Sequence, residues 1–426
     1  MSHLDAIVDP QRGPKRMLSI DGGGIRGLVA VEFIARIEEL LRAEFHEPDL
    51  VLAQYFDYFA GTSTGAIVAT LLSLGYSAQT IRNFYVTGGK MMFDANAFQR
   101  FARRTKGPAS AIAGVLGIFF YRAMYRPDAL EREIKRVVGD PPLVTLGTQK
   151  LQTLLLIVTR NASTDSPWPL SNNPNAKYNL RDDNAGSARP TNLDLPLWQL
   201  VRASTAAPVY FPAEEIHVPG LDAPFVFVDG AVSMYNNPAF QLFLMATLPG
   251  YRLGWKTGPR ELLLISVGTG SADLANLHLD ARQMNLLYNV TSTPAALIHS
   301  AAVEQDMLCR IFGRVRSDCA LAEIDAEIGN LIGVGLPPEA PLFSYARYNV
   351  ELSKRSLQKL GFADVAPAGL QRLDGVDYID DLSRVGAAAA KCCVDIADFE
   401  GFLDPGLLRP RRPPPFDGPV SLSAPA

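Results

Sequence analysis

The sequence predicts an α/β protein with a mainly helical C-terminal extension. Three observations carry that reading. Two strand, glycine turn, helix units follow one another near the N-terminus, further apolar strand-like runs recur up to Val267, and helical signals dominate after about Asn276.

Residues 1–15 form a polar leader with no apolar stretch of signal-peptide length, and its acids Asp5 and Asp9 argue against a transit peptide. Arg16 to Ile20 (RMLSI) reads as a short buried strand. A glycine-rich turn follows, then a helix from about Leu28 to Phe45 with Val31, Ile34, Ile37 and Leu41 at helical spacing. The second unit has a strand at Tyr55 to Ala60 (YFDYFA), a turn at Gly61 to Gly65, and a helix from Ala66 to Leu74 that Gly75 stops. Later strands are expected at Thr153 to Thr159, Phe225 to Val228 and Glu261 to Val267, with functional loops at their C-terminal ends. Between Arg160 and Pro196 the chain is rich in Asn, Asp, Ser and Pro, which reads as a polar excursion from the sheet.

An α/β domain therefore spans 16–275. The extension, 276–403, carries helices at Pro294 to Phe312, Tyr348 to Leu360 and Ile379 to Cys393, and no clear strand. Residues 404–426 are proline-rich and read as a disordered tail whose Arg409, Arg411 and Arg412 can touch acidic lipid. No internal repeat is present.

Forty basic against 44 acidic residues, a net charge of −4, give no bulk field for a nucleic-acid polymer. Cys309, Cys319, Cys392 and Cys393 have no metal-ligand spacing and are too few to staple a chain this long, so a reducing, cytoplasmic setting is expected. The apolar run Ala109 to Tyr121 is too short to span a bilayer, which takes roughly 18–20 residues. Its basic flanks (Arg100, Arg103, Arg104, Lys106, then Arg122 and Arg126) leave two readings, a buried helix or an interfacial lid.

Gly61-Thr62-Ser63-Thr64-Gly65 fits G-x-S-x-G, a serine on a sharp strand-to-helix turn, and it stands between a strand and a helix as that motif requires. A plain helix N-cap is the other reading of Ser63. Asp21 to Gly27 (DGGGIRG) ends the first strand and opens the first long helix. The amides of Gly22, Gly23 and Gly24 can form a nest for an oxyanion, with Arg26 adding charge or bracing the loop. Gly22, Gly24 and Gly27 also satisfy the dinucleotide pattern, but Glu44, Glu47 and Asp49 do not stand at the end of a following strand as the ribose-binding acid would. Among the five histidines, His3, His46, His217, His278 and His299, none sits in a recognisable motif, although the order serine, acid, histidine would nominate His278 or His299. Asp229 ends the run FVFV and precedes Gly230, so its carboxylate emerges where Ser63 does. It is the candidate base, against a simple Asp-Gly turn.

These residues resemble the patatin-like phospholipases, bacterial type: a glycine-rich anion loop at Asp21 to Gly27, an elbow at Gly61 to Gly65, and Asp229-Gly230, in that order. RASTAAPVYFP (Arg202 to Pro212) and SVGTG (Ser266 to Gly270) extend the likeness, which covers roughly Arg16 to Gly270. The resemblance implies a three-layer α/β/α fold and a Ser63–Asp229 dyad that hydrolyses acyl esters through an acyl-enzyme, with no cofactor and no metal. It implies a membrane phospholipid or other acyl lipid as substrate, reached by peripheral membrane contact. Two other functions stand beside it, a nucleotide-activated phospholipase effector of bacterial antiviral defence and a non-catalytic lipid or dinucleotide binder. The sequence leaves oligomeric state open.

Overall fold

The computed structural model describes residues 4–92, 127–139, 144–180, 190–218, 222–272, 286–317 and 341–415, with single positions at 280, 284, 329 and 331. The apolar run at 109–121 and its basic flanks, His3, His278 and Cys319 lie outside the described residues.

Among the described residues one mixed sheet holds nine strands: β1 (Lys15–Ile20), β2 (Tyr58–Thr62), β3 (Leu154–Asn161), β4 (Ser166–Ser171), β5 (Glu214–Ile216), β6 (Phe225–Asp229), β7 (Leu262–Val267), β8 (Arg314–Val315) and β9 (Ser344–Tyr348). They lie in the order β5, β6, β3, β2, β1, β7, β9, β8, with β4 also paired to β3. The centre is parallel, and β4, β5 and β6 run antiparallel to their neighbours.

Central strands buried on both faces need apolar side chains at every position, which is why they read as unbroken runs in the sequence. Alternate residues then serve opposite cores. Leu18, Ile20, Phe59, Leu155, Ile157, Leu263 and Ile265 face one core; Met17, Tyr58, Ala60, Leu154, Leu156, Leu262 and Leu264 face the other. The first core is closed by helices α1 (Gly27–Phe45), α2 (Thr64–Ser73), α3 (Ala78–Met92), α4 (Pro127–Val138), α5 (Leu197–Ser204) and, further along the chain, α9 (Ile379–Cys393). The second is closed by α6 (Ala239–Thr247), by α7 (Leu286–Phe312) through Cys309, and by Leu4 and Ile7 of the N-terminal turn. Helices on both faces of one sheet make the three layers.

The structure moves several expected elements. Tyr55 ends a short helical turn, Leu52–Tyr55, and the second strand starts only at Tyr58, because Asp57 between them is buried against Arg16 and Arg409. The polar excursion after Arg160 contains β4. The region after 276 is not wholly helical: the helix expected from Tyr348 to Leu360 shrinks to α8 (Lys354–Lys359), and β9 enters the central sheet beside β7. The tail is not free from 405 onward. Pro405–Leu407 forms a turn of 3-10 helix, and Arg409 is half-buried with its guanidinium on Asp57 and on the carbonyls of Ala53 and Phe56. Cys393 is disulfide-bonded, against the expectation of reduced thiols. Among the described residues no helix is long and apolar enough to cross a membrane.

Candidate active site

β2 ends at Thr62 and α2 begins at Thr64, so Ser63 alone makes the turn, with φ 56° and ψ −125°. A non-glycine residue in that region costs about 1–3 kcal/mol and persists only where its surroundings hold it. Here the Ser63 N–H donates to Ser204 Oγ at 2.9 Å, and the Ser204 hydroxyl donates to the Val158 carbonyl at 2.6 Å, tying the elbow to α5 and β3. The flanking glycines let α2 close on the sheet. A Cβ on Gly61 would stand 2.1 Å from the Gly65 carbonyl oxygen, and one on Gly65 would stand 2.3 Å from that of Ile20. Ser63 occupies the N-cap position, but its side chain makes no cap bond.

Its hydroxyl turns to Asp229 instead. Strand register explains how two residues 166 apart meet: Thr62 pairs with Val158 on β3, and Asp229 of β6 pairs with Thr159, the next residue along. Ser63 and Asp229 thus stand level on either side of β3. Alternate strands lie roughly 10 Å apart, and the two side chains close that gap to 2.5 Å between Ser63 Oγ and Asp229 Oδ2. The contact is direct, leaving no place for a histidine between them. The second carboxylate oxygen, Oδ1, accepts from the Ala231 N–H at 2.8 Å. Burial pushes Asp229 up to about 7; the Ser63 hydroxyl, the Ala231 amide and the charge of Arg202 act the other way.

The glycine loop lies against this pair. A Cβ on Gly22 would fall 3.2 Å from Ser63 Cβ and 2.4 Å from Asn236 Oδ1, so the backbone approaches the serine more closely than any side chain would allow. The Gly22 N–H donates to the Asn236 carbonyl at 3.0 Å and is therefore spent, against the expectation that it belongs to the oxyanion nest. The Gly22 carbonyl accepts from Thr269 Oγ1 at 2.8 Å. Among the described residues no acceptor meets the amides of Gly23 and Gly24. Gly24 has φ +58°, a conformation glycine adopts without strain. The N-termini of α1 and α2, each a region of positive potential, both begin beside the serine.

Arg26 is half-buried. Burial pushes its guanidinium down to about 10, with Tyr210 and Asp21 opposing, and its Nε has no hydrogen-bond partner among the described residues. His46, His217 and His299 are exposed. Sequence reasoning missed Ser204, Asn236, Thr269 and Arg347. The first three sit in or near stretches that carried a signal, RASTAAP, Asp229-Gly230 and SVGTG. Arg347, on β9, holds Asp21 at the head of the glycine loop and gave none.

Fold and site together define an α/β protein with an elbow serine whose hydroxyl is hydrogen-bonded to a buried carboxylate. The chain belongs to the patatin-like phospholipase family, whose model matches residues 18–243. Among similar proteins are "Probable inactive patatin-like protein 9" of Arabidopsis thaliana, 26% identical over 262 residues (61% of this chain, 62% of that protein), and "Calcium-independent phospholipase A2-gamma" of Mus musculus, 26% identical over 327 residues (74% and 35%). Patatin-17 of Solanum cardiophyllum is 26% identical over 270 residues, 60% of each chain. The chain thus spans less than two thirds of the length of each of these relatives. VipD from Legionella pneumophila superposes at 13% identity with a TM-score of 0.34, over 87% of this chain and 67% of that one, a likeness too low to argue from.

Proposed function

We propose that the chain hydrolyses fatty-acyl esters of membrane lipids through Ser63 and Asp229, by way of an acyl-enzyme. The observation that carries the reading is the 2.5 Å hydrogen bond from a serine on a strained elbow to a buried carboxylate, beside two amides with no acceptor among the described residues.

Ser63 Oγ attacks the ester carbonyl carbon and its proton passes to Asp229 Oδ2. The carbonyl oxygen becomes an oxyanion, held by the N–H groups of Gly23 and Gly24; one well-placed donor is worth about 2.7–4 kcal/mol. Collapse breaks the ester C–O bond, and the departing alkoxide takes the proton from Asp229, leaving the acyl group on Ser63. Water then attacks the acyl-enzyme, gives a proton to Asp229, and the fatty acid leaves as Ser63 recovers that proton. A carboxylate near 7 is a far better acceptor than one near 4, so the burial of Asp229 serves this chemistry directly. The expected substrate is a phospholipid, lysophospholipid or other acyl lipid, met by peripheral contact at the cytoplasmic face of a membrane.

The test is hydrolysis of a defined phospholipid by the wild-type chain, Ser63→Ala and Asp229→Asn. Each variant should keep the fold and lose at least about a thousandfold in kcat. A folded Ser63→Ala protein with wild-type rates would end the proposal.

A further inference from the structure

An apolar groove of about 710 Å³ opens along the turn that follows Asp229. Its floor is the turn after Asp229, with Ala231, Ser233 and Met234; its wall is the middle of α7, with Leu297, Ile298 and Ala301. The floor begins two residues after Asp229, at Ala231, whose N–H holds Asp229 Oδ1. Among the described residues no charged side chain lines the groove, and its size falls in the range of about 300–1,000 Å³ typical of small-molecule sites.

We infer that this groove takes the acyl chain of the substrate, and that α7, which lies beyond the residues shared with the family model, sets the preferred chain length. The inference rests on the reading of Ser63 and Asp229 given above. A headgroup is charged and would find no charged partner among the described residues of these walls, whereas a hydrocarbon chain loses nothing on entering. Leu297 is 65% exposed and Met234 50% exposed, so apolar surface stands open to water on both sides of the groove, for a chain to cover. Pro294 lies inside α7, where it deletes one helix hydrogen bond, and residues 293–297 are all exposed.

The test compares kcat/KM of the full chain on p-nitrophenyl butyrate, octanoate and laurate, below their micelle concentrations. Wild type should gain about fourfold per methylene, equivalent to about 0.8 kcal/mol, until the groove is full. Leu297→Asp, which puts a charge on an exposed position and spares the fold, and Ala301→Trp, which blocks the wall, should each lower the laurate-to-butyrate ratio at least about tenfold. Leu248→Asp, on an exposed apolar residue that does not line the groove, should leave the ratio unchanged. Binding of a fluorescent dodecanoate analogue to the Ser63→Ala chain, lost on adding Leu297→Asp, gives a readout free of turnover. A wild-type rate that ignores chain length, or a folded Leu297→Asp chain with the wild-type ratio, overturns the inference. So does a dimer that Leu297→Asp dissolves without any change in chain-length preference, since a second copy would then be the occupant. If no ester is cleaved yet the probe binds in a Leu297-dependent way, the groove stands and the dyad reading falls.

Discussion

Arg347 grips Asp21 with two parallel hydrogen bonds, Nη1 to Oδ1 at 2.8 Å and Nη2 to Oδ2 at 2.5 Å, where both side chains are buried. Burial alone would lower the Arg347 pKa, but the Asp21 carboxylate more than offsets this and drives it upward, so the cation is secure. The pair joins β9 to the head of the glycine loop. Arg347→Met strands a carboxylate in the interior and should cost about 3–5 kcal/mol, read as a lowered unfolding midpoint. Adding Asp21→Asn should return part of that loss. Because Gly23 and Gly24 stand two and three residues after Asp21, Arg347→Lys, which keeps the charge but loses the fork, should lower kcat more than it raises KM. An Arg347→Met chain as stable as wild type would show that the pair contributes nothing.

Asp229 must be ionised to accept a proton, and its burial sets the pH at which it ionises. With the group near 7, kcat/KM should fall about tenfold per unit below pH 7 and level off above it. Stability runs the opposite way. An acid whose folded pKa is raised binds its proton more tightly when folded, so its contribution is full below about pH 4 and is lost as pH rises to about 7. Asp229→Asn removes that dependence. Its unfolding midpoint relative to wild type should therefore be higher at pH 8 than at pH 4, while activity is lost at both; equal offsets at the two pH values would refute the assignment of the shift to burial.

Ser204 holds the strained residue by its backbone. Its hydroxyl accepts the Ser63 N–H and donates to the Val158 carbonyl, so Ser204→Ala leaves a buried donor and a buried acceptor unpaired at once. About 1–3 kcal/mol of stability should go, with a fall in kcat as the elbow relaxes. Ser204→Thr keeps the hydroxyl and should recover most of the rate, which a purely volumetric role for Ser204 would not produce.

How much of this was legible depended on where polar residues are buried. β1, β3 and β7 could be read because strands covered on both faces leave apolar runs, β6 as an apolar run although it is only partly covered, and Gly61 to Gly65 and Asp229-Gly230 because glycines beside a reactive residue mark close backbone approach. β9 could not. Its Ser344 and Arg347 look like surface residues until Pro259 and Asp21 are seen to satisfy them. Gly22 shows the same limit inside the motif, since only the fold brings the Asn236 carbonyl onto its amide. Ser204 and Thr269 act through hydrogen bonds to distant backbone, a relation no local pattern records.

Arg409 is the plainest case, a basic residue in a proline-rich stretch that composition marks as unstructured. Its guanidinium meets Asp57 and donates to the carbonyls of Ala53 and Phe56, while the neighbouring Leu407 carbonyl accepts from Arg16 at 2.9 Å and that of Arg412 accepts from Gln152 at 3.1 Å. Asp57 is shared between Arg16 and Arg409. Burial would raise its pKa, but Arg16, Arg409 and Lys15 prevail and hold it below the usual carboxylate value. A depressed carboxylate stabilises above its unfolded pKa near 4 and loses that contribution as pH falls through the folded value. Arg409→Met should therefore destabilise the chain by several kcal/mol at pH 7, on the order of the 3–5 kcal/mol lost when a buried pair loses one partner. The deficit should shrink below about pH 4, where Asp57, left with Arg16 but without Arg409, takes up a proton. Urea unfolding of both proteins across that pH range measures it, and a deficit that stays constant down to pH 3 would mean the tail is held by packing and not by the Asp57 charge.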